Sequence, residues 1–249
     1  MEENKEKRKI LVTGSGGMLG TELCAAFSDD YEIAGLDIVQ KTEDRRQKTD
    51  FVKCDIADKK FTRKTIIELK PDIIIHAAAW TDVDGCERNA EKAKKINETG
   101  TENVAQAAGE TGALLVYMST DFIFDGNKKT PYVEDDLSAP LGVYAATKLA
   151  GEKIVKKLKK SIIIRTSWLY GKNGKSFVET ILEKAKKETT LKVVDDQVGS
   201  PTYTMDLAVG IRKLLDIMLR RTKGEGRGTK EIFHISNKGE VSRFDYAKE

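Results

Sequence analysis

Lys9-Ile-Leu-Val-Thr13 runs directly into Gly14-Ser-Gly-Gly17-Met-Leu-Gly20. The first five residues form a short apolar run bounded by glycine, the pattern of a strand buried on both faces of a parallel sheet. Glycines 14, 17 and 20 make G-x-x-G-x-x-G, and an apolar-periodic helix follows through Phe27. Missing side chains let the backbone turn tightly and approach a pyrophosphate at a helix N-terminus. Gly14, Ser15, Gly16, Gly17, Met18, Leu19 and Gly20 are therefore candidate cofactor contacts. A plain strand–helix turn looks the same, so the rest of the chain decides.

Tyr31-Glu-Ile-Ala-Gly-Leu-Asp37 reads as a second strand ending in a carboxylate. A carboxylate there accepts both hydroxyls of an adenosine ribose and repels a 2′-phosphate, which favours NAD(H). Lys41, Arg45 and Arg46 follow closely enough to receive such a phosphate, so NADP(H) stays open. Phe51 to Asp55 is a third strand, and Asp55-Ile56 faces either the adenine or the start of a helix. Pro71 to Ala79 is a fourth, whose Ala77, Ala78 and Ala79 leave room for a cofactor at its carboxyl end. His76 reads as a core residue. One long helix containing Asn97 is predicted from Glu87 through Gly109, then a fifth strand from Ala113 into Ser119-Thr120-Asp121.

Alternation of strand and helix predicts an α/β fold of Rossmann type, a doubly wound parallel sheet. After a polar loop, Asp125 to Leu141, comes Tyr144 with Lys148 four residues on. On a helix these two share a face. An ammonium beside a phenol lowers the phenol's pKa toward the range useful for proton transfer. Ser161 to Arg165 is a sixth strand. Beyond it the pattern predicts a helix near 176–187, a strand at Leu191 to Val194, a loop to Tyr203, a helix at Thr204 to Arg221, a loop at Thr222 to Lys230 and a strand near Ile232 to Ser236. The expected division is a tail at 1–8, a dinucleotide-binding domain at 9–168, and a smaller substrate-binding region at 169–249 whose helix 204–221 packs back on the sheet.

At 249 residues, 39% hydrophobic and 33% charged, the chain has the composition of a globular protein. A net charge of +3 without a basic, aromatic-studded face argues against a nucleic-acid partner. Cys24, Cys54 and Cys86 are scattered, which suits reduced thiols in a cytoplasm. His76 and His234 stand too far apart to mark a metal site. No apolar run spans a membrane, and Met1 to Lys9 lacks the apolar core of a signal peptide.

Together these motifs resemble the extended short-chain dehydrogenase/reductase family, and within it the dTDP-4-dehydrorhamnose reductases. The narrower resemblance rests on Ala77-Ala-Ala-Trp-Thr-Asp-Val-Asp84, Ser119 to Gly126, Pro140 to Glu152, Arg165-Thr-Ser-Trp-Leu-Tyr-Gly171 and Val193 to Thr202. It implies Tyr144 as general acid, Lys148 on the nicotinamide ribose and Thr120 hydrogen-bonded to the reacting carbonyl. It implies Trp80, Thr81, Val83, Asp121, Phe122 and Trp168 as substrate contacts, with Asp195, Gln197, Pro201 and Thr202 on an outer wall. The implied reaction is NAD(P)H-dependent reduction of the 4-keto group of dTDP-4-dehydro-6-deoxy-L-mannose to dTDP-L-rhamnose, the last step of dTDP-rhamnose biosynthesis. The implied partner is the dTDP-sugar, with a homodimer left open.

Three departures stand out. Phe122 replaces the family's usual tyrosine, Ala145 its usual glycine, and members commonly continue past the point matching Glu249, so the end reads as a short variant or a truncation with an unpartnered terminal helix. Phe122 also replaces the glutamate of sugar-nucleotide dehydratases, which argues against dehydration. An epimerase or reductase of another sugar nucleotide shares the motifs, as does a non-catalytic regulatory subunit resembling that of methionine adenosyltransferase.

Overall fold

The computed structural model describes residues 7–39, 49–221 and 230–249. The expected tail (but for Lys7 and Arg8), the Lys41, Arg45 and Arg46 segment and the 222–229 loop lie outside the described residues. The chain begins β1 (Lys9–Thr13), α1 (Met18–Phe27), β2 (Glu32–Asp37), β3 (Thr49–Lys53), α2 (Lys59–Leu69) and β4 (Ile73–His76). Where the periodicity predicts one long helix, the structure has α3 (Val83–Arg88), α4 (Ala90–Ala93), a π-helical stretch at Lys94–Gly100 and α5 (Thr101–Thr111). Asn89 makes the break: its side chain accepts the Lys92 N–H at 3.0 Å and restarts the helix. Next come β5 (Leu114–Thr120), α6 (Val143–Val155), β6 (Ser161–Thr166), β7 (Leu169–Tyr170) and α7 (Phe177–Ala185). The chain closes with β8 (Val198–Gly199), β9 (Thr202–Tyr203), α8 (Thr204–Arg221), β10 (Lys230–His234), β11 (Val241–Ser242) and α9 (Arg243–Tyr246). The strand predicted at Leu191 to Val194 does not form; the nearby pairing is β8 with β11, antiparallel.

Seven strands form one sheet in the order β10-β6-β5-β4-β1-β2-β3, every pair parallel. Chain order reverses between β1 and β4, and such a reversal opens a crevice at the strands' carboxyl ends. Side chains alternate across the sheet. Ile10 and Val12 face Leu19, Leu23 and Phe27 of α1 and Leu207, Ile211 and Leu215 of α8. Leu11, Ile74, Leu115 and Ile163 face Ile66 of α2, Val104 and Ala108 of α5 and Val155 of α6. Both faces being covered explains why the strands read as unbroken apolar runs.

One polar cluster crosses this core. Glu152 on α6 is fully buried and accepts the Ser119 hydroxyl at 2.6 Å and the Arg165 Nε and Nη2 at 2.9 Å each. Arg165 Nη1 also donates to the Glu134 carbonyl at 3.0 Å, and Glu134 accepts the His234 N–H at 2.8 Å. Helix α6, three strands and the polar loop are thus tied at one point. Removing Arg165 leaves the Glu152 charge buried with only the Ser119 hydroxyl and the Lys156 ammonium, at 4.0 Å, to offset it. Arg165→Ala is expected to cost about 3–5 kcal/mol in urea unfolding. A loss under about 1 kcal/mol, the value of an exposed pair, would contradict this reading.

Candidate active site

The glycine turn is built for close approach. Gly14 has φ +72°, and a Cβ there would sit 2.7 Å from the Ala78 nitrogen. A Cβ on Gly20 would collide with the Gly14 carbonyl. Gly17 caps α1 without a side-chain acceptor, so the helix's first N–H groups receive no side-chain cap. Asp37 closes the turn from β2, accepting the Gly16 N–H at 2.9 Å and the Val39 N–H at 3.3 Å. A bare helix N-terminus, room for backbone contact and a carboxylate at the end of β2 fit the pyrophosphate and ribose of a dinucleotide.

These groups open into a cleft of about 880 Å³. The glycines, Met18, Leu19, Asp37, Asp55, Ile56 and Ala77 to Ala79 line it. Ser15 is not among the lining residues: it is buried, with its N–H on the Leu36 carbonyl at 3.4 Å. Asp55 accepts the Ala57 N–H at 2.9 Å, while Asp58 caps α2. The fourth strand stops at His76, so the three alanines already belong to the turn that leaves the sheet. His76 is core, wedged between the Thr13 hydroxyl at 2.6 Å and the Thr101 hydroxyl at 3.1 Å, and burial pushes it down to about 3.

Thr120, Asp121, Phe122, Tyr144 and Lys148 line this same cleft, as do Trp80, Thr81, Val83 and Trp168. Thr120 ends β5, and its hydroxyl accepts the Phe122 N–H at 3.2 Å. The Phe122 ring stands edge-on to Tyr144, centroids 6.0 Å apart. Glu87 of α3 accepts the Val143 N–H at 2.6 Å, placing a carboxylate at the start of α6. Asp121 is pushed up to about 6, chiefly by burial.

The expected lowering of the Tyr144 pKa by Lys148 is not met. Burial raises the Tyr144 phenol, and only a hydrogen bond with Thr120 pulls it back. Lys148 Nζ instead donates to the Met118 carbonyl at 2.7 Å and lies 4.1 Å from the centre of the Tyr117 ring. Burial brings Lys148 down to about 7, against the upward pull of Glu152 one turn further along α6.

Several residues in or behind the cleft wall escape the sequence reading. Buried Asn97, in the π-helical stretch, binds both backbone groups of Trp80 (N–H at 2.8 Å, carbonyl at 3.1 Å) and donates to Thr147 of α6 at 3.2 Å. Thr166, in register with Thr120, lines the cleft, and its buried hydroxyl has no hydrogen-bond partner among the described residues. Lys92 lies 4.3 Å from the Trp80 ring centre. Arg243 and Tyr246 arrive from the C-terminal turn, which is not unpartnered: Tyr246 stacks on Phe177 at 5.7 Å. Asp195, Gln197, Pro201 and Thr202 are absent from the cleft lining. Gln197 serves instead through its carbonyl, which accepts the Arg243 N–H at 2.9 Å. A helix broken by a π-helical stretch carries no simple periodic signal, though the capping pattern at Asn89 is readable.

A pH test follows from Lys148. Below about pH 7 both folded and unfolded chains hold its proton; from there to 10.5 only the unfolded chain does, so this group makes stability rise with pH. Lys148→Met should therefore be most stabilising, relative to the parent, at or below pH 7. The gap should shrink as pH climbs toward 10.5. A gap constant across that range in denaturant melts would show that Lys148 is not held in this way.

Residues 8–249 match the family described as RmlD substrate binding domain. The spore coat polysaccharide biosynthesis protein SpsK of Bacillus subtilis is 39% identical over 240 residues, 96% of this chain and 77% of that protein. The dTDP-4-dehydrorhamnose reductase of Escherichia coli K12 is 36% identical over 239 residues, 96% of this chain and 75% of that enzyme. Among solved structures, dTDP-4-dehydrorhamnose reductase from Bacillus anthracis in complex with NADP superposes with a TM-score of 0.80 at 36% identity, covering 99% of this chain and 80% of that one. With its glycine turn, its Thr120, Tyr144 and Lys148 cluster and these likenesses, the chain belongs to the RmlD substrate binding domain family, that of the dTDP-4-dehydrorhamnose reductases.

Proposed function

We propose that this protein is an NAD(P)H-dependent oxidoreductase that reduces the 4-keto group of dTDP-4-dehydro-6-deoxy-L-mannose to dTDP-L-rhamnose. The observation that carries the reading is the convergence of Thr120, Tyr144 and Lys148 in the cleft that the glycine turn opens into. NAD(P)H supplies the hydride when bound. Gly14, Gly16, Gly17 and Gly20 and the α1 N-terminus hold its pyrophosphate, Asp37 its ribose, and Ala77 to Ala79 leave space along the sheet. Asp37 favours NADH, as a carboxylate repels a 2′-phosphate.

A carbonyl that accepts hydride becomes an alkoxide, so the site must deliver a proton as charge develops. Thr120 and Tyr144 share the carbonyl oxygen, and Tyr144 passes its phenolic proton to it. Tyr144 carries its proton when hydride arrives; burial raises its pKa, and the hydrogen bond with Thr120 offsets part of that rise. Lys148, positive below about pH 7, stabilises the tyrosinate left behind and binds the nicotinamide ribose. Trp80, Thr81, Val83, Asp121 and Trp168 surround the sugar nucleotide. Phe122 contributes shape alone, having no group to move a proton.

No helix among the described residues is long and apolar enough to cross a membrane. The three cysteines are free and buried, which supports a reducing cytoplasm as the working compartment. We place residues 169–249 mainly in substrate binding, with α8 excepted, since it packs on the sheet.

Tyr144→Phe removes one hydroxyl and little volume. It is expected to lower kcat about 10²- to 10⁴-fold with the dTDP-4-keto sugar, with NADH affinity retained. Turnover within a factor of two of the parent would reject Tyr144 as the acid. Absence of NADH or NADPH oxidation by the parent itself would reject the reaction.

A further inference from the structure

We infer that Arg243 is an anion clamp for the diphosphate of the nucleotide-sugar substrate, an assignment that rests on the reductase reading above. The Arg243 guanidinium is held between two rings, 3.5 Å from the centre of Trp168 and 4.7 Å from that of Phe177. Its backbone is fixed by the hydrogen bond to the Gln197 carbonyl, and β11 pairs with β8 just before it. Trp168 is a fixed platform: it holds φ +43°, and a Cβ on Gly199 would meet its ring at 2.5 Å. A bulky residue in the left-handed region carries backbone strain that its packing must offset. Among the described residues no acceptor takes a hydrogen bond from the guanidinium and no carboxylate forms an ion pair with it.

A half-buried cation with unused donors on a cleft wall invites an anion, and arginine's planar fork suits phosphate oxygens. Position selects which anion. Asp121, next to Thr120, is near enough for its charge to be felt by Arg243, yet the two form no ion pair. The reacting carbonyl at Thr120 and Tyr144 lies at C4 of the sugar, and the diphosphate hangs from C1, across one ring. Arg243 lines the same cleft as Thr120 and Tyr144, seated against Trp168, while the glycine turn and its bare helix N-terminus are the groups built for the cofactor's own pyrophosphate.

Calorimetry on the NADH-saturated protein tests this with dTDP, UDP and thymidine as ligands. Arg243→Gln should weaken dTDP about tenfold to a hundredfold while leaving thymidine and NADH within about twofold. Arg243→Lys, which keeps charge but not the fork, should fall between. In the parent, added salt should weaken dTDP far more than thymidine, a readout that needs no variant. An unchanged dTDP affinity, or equal losses for dTDP and thymidine, would overturn the clamp and leave the reductase reading standing. A parent that binds UDP but not dTDP, with UDP lost in Arg243→Gln, would uphold the clamp and overturn the dTDP-sugar assignment. A parent that binds neither diphosphate would overturn both.

Discussion

Glu152 sits at zero exposure, and its hydrogen-bond partners Ser119 and Arg165 belong to the frame of the site, with the half-exposed Lys156 4.0 Å away on the next turn of α6. Ser119, which donates to it, precedes Thr120 on β5; Lys148 lies one turn before it on α6; Arg165, which forks onto it, reaches across to the loop after β5. A carboxylate buried this deeply is tolerable only with its lone pairs taken and its charge paired. That requirement fixes where α6 lies against the sheet, and with it the spacing of the phenol, the ammonium and the threonine. Tyr117 adds a second tie, donating from its buried hydroxyl to the Lys148 carbonyl at 3.2 Å.

The same burial governs the chemistry. It raises Tyr144 and lowers Lys148, so both are pressed toward their neutral forms. The phenol holds its proton when hydride arrives, and the alkoxide is basic enough to take it; the upward push itself makes the phenol a weaker acid, which the Thr120 hydrogen bond partly offsets. Lys148 near 7 is a cation that can be switched by whatever charge enters the cleft. Its hydrogen bond to the Met118 carbonyl and its place over the Tyr117 ring keep it solvated by protein. The spacing of Tyr144 and Lys148 places both in the cleft, but it says nothing of which partner the ammonium chooses.

Most of the doubly wound sheet was legible because strands buried on both faces leave long apolar runs, and glycine marks the turn where a backbone must pass close to another. The helix after β4 was misread because Asn89 and the π-helical stretch shift the register without changing composition. Past residue 169 the sequence shows α7, α8 and β10, but the two-residue strands β7, β8, β9 and β11 are held by single pairings distant in sequence, which no local pattern announces. Arg243 was invisible for the same reason: only the return of the last turn to Trp168 and Phe177 brings it to the cleft. Phe122 was readable as a departure that removes a proton-transfer group, and the structure shows it filling the space beside Tyr144 edge-on.

The central claim is net hydride delivery to C4 of a dTDP-4-keto sugar, as opposed to a reversible oxidation and return at one centre. Incubation with nicotinamide cofactor deuterated at C4, followed by mass and NMR analysis of the product, tests this directly. The account predicts one deuterium per product, at C4 of dTDP-L-rhamnose, with one cofactor oxidised for each. A rearranged sugar nucleotide without deuterium and without cofactor consumption would contradict it.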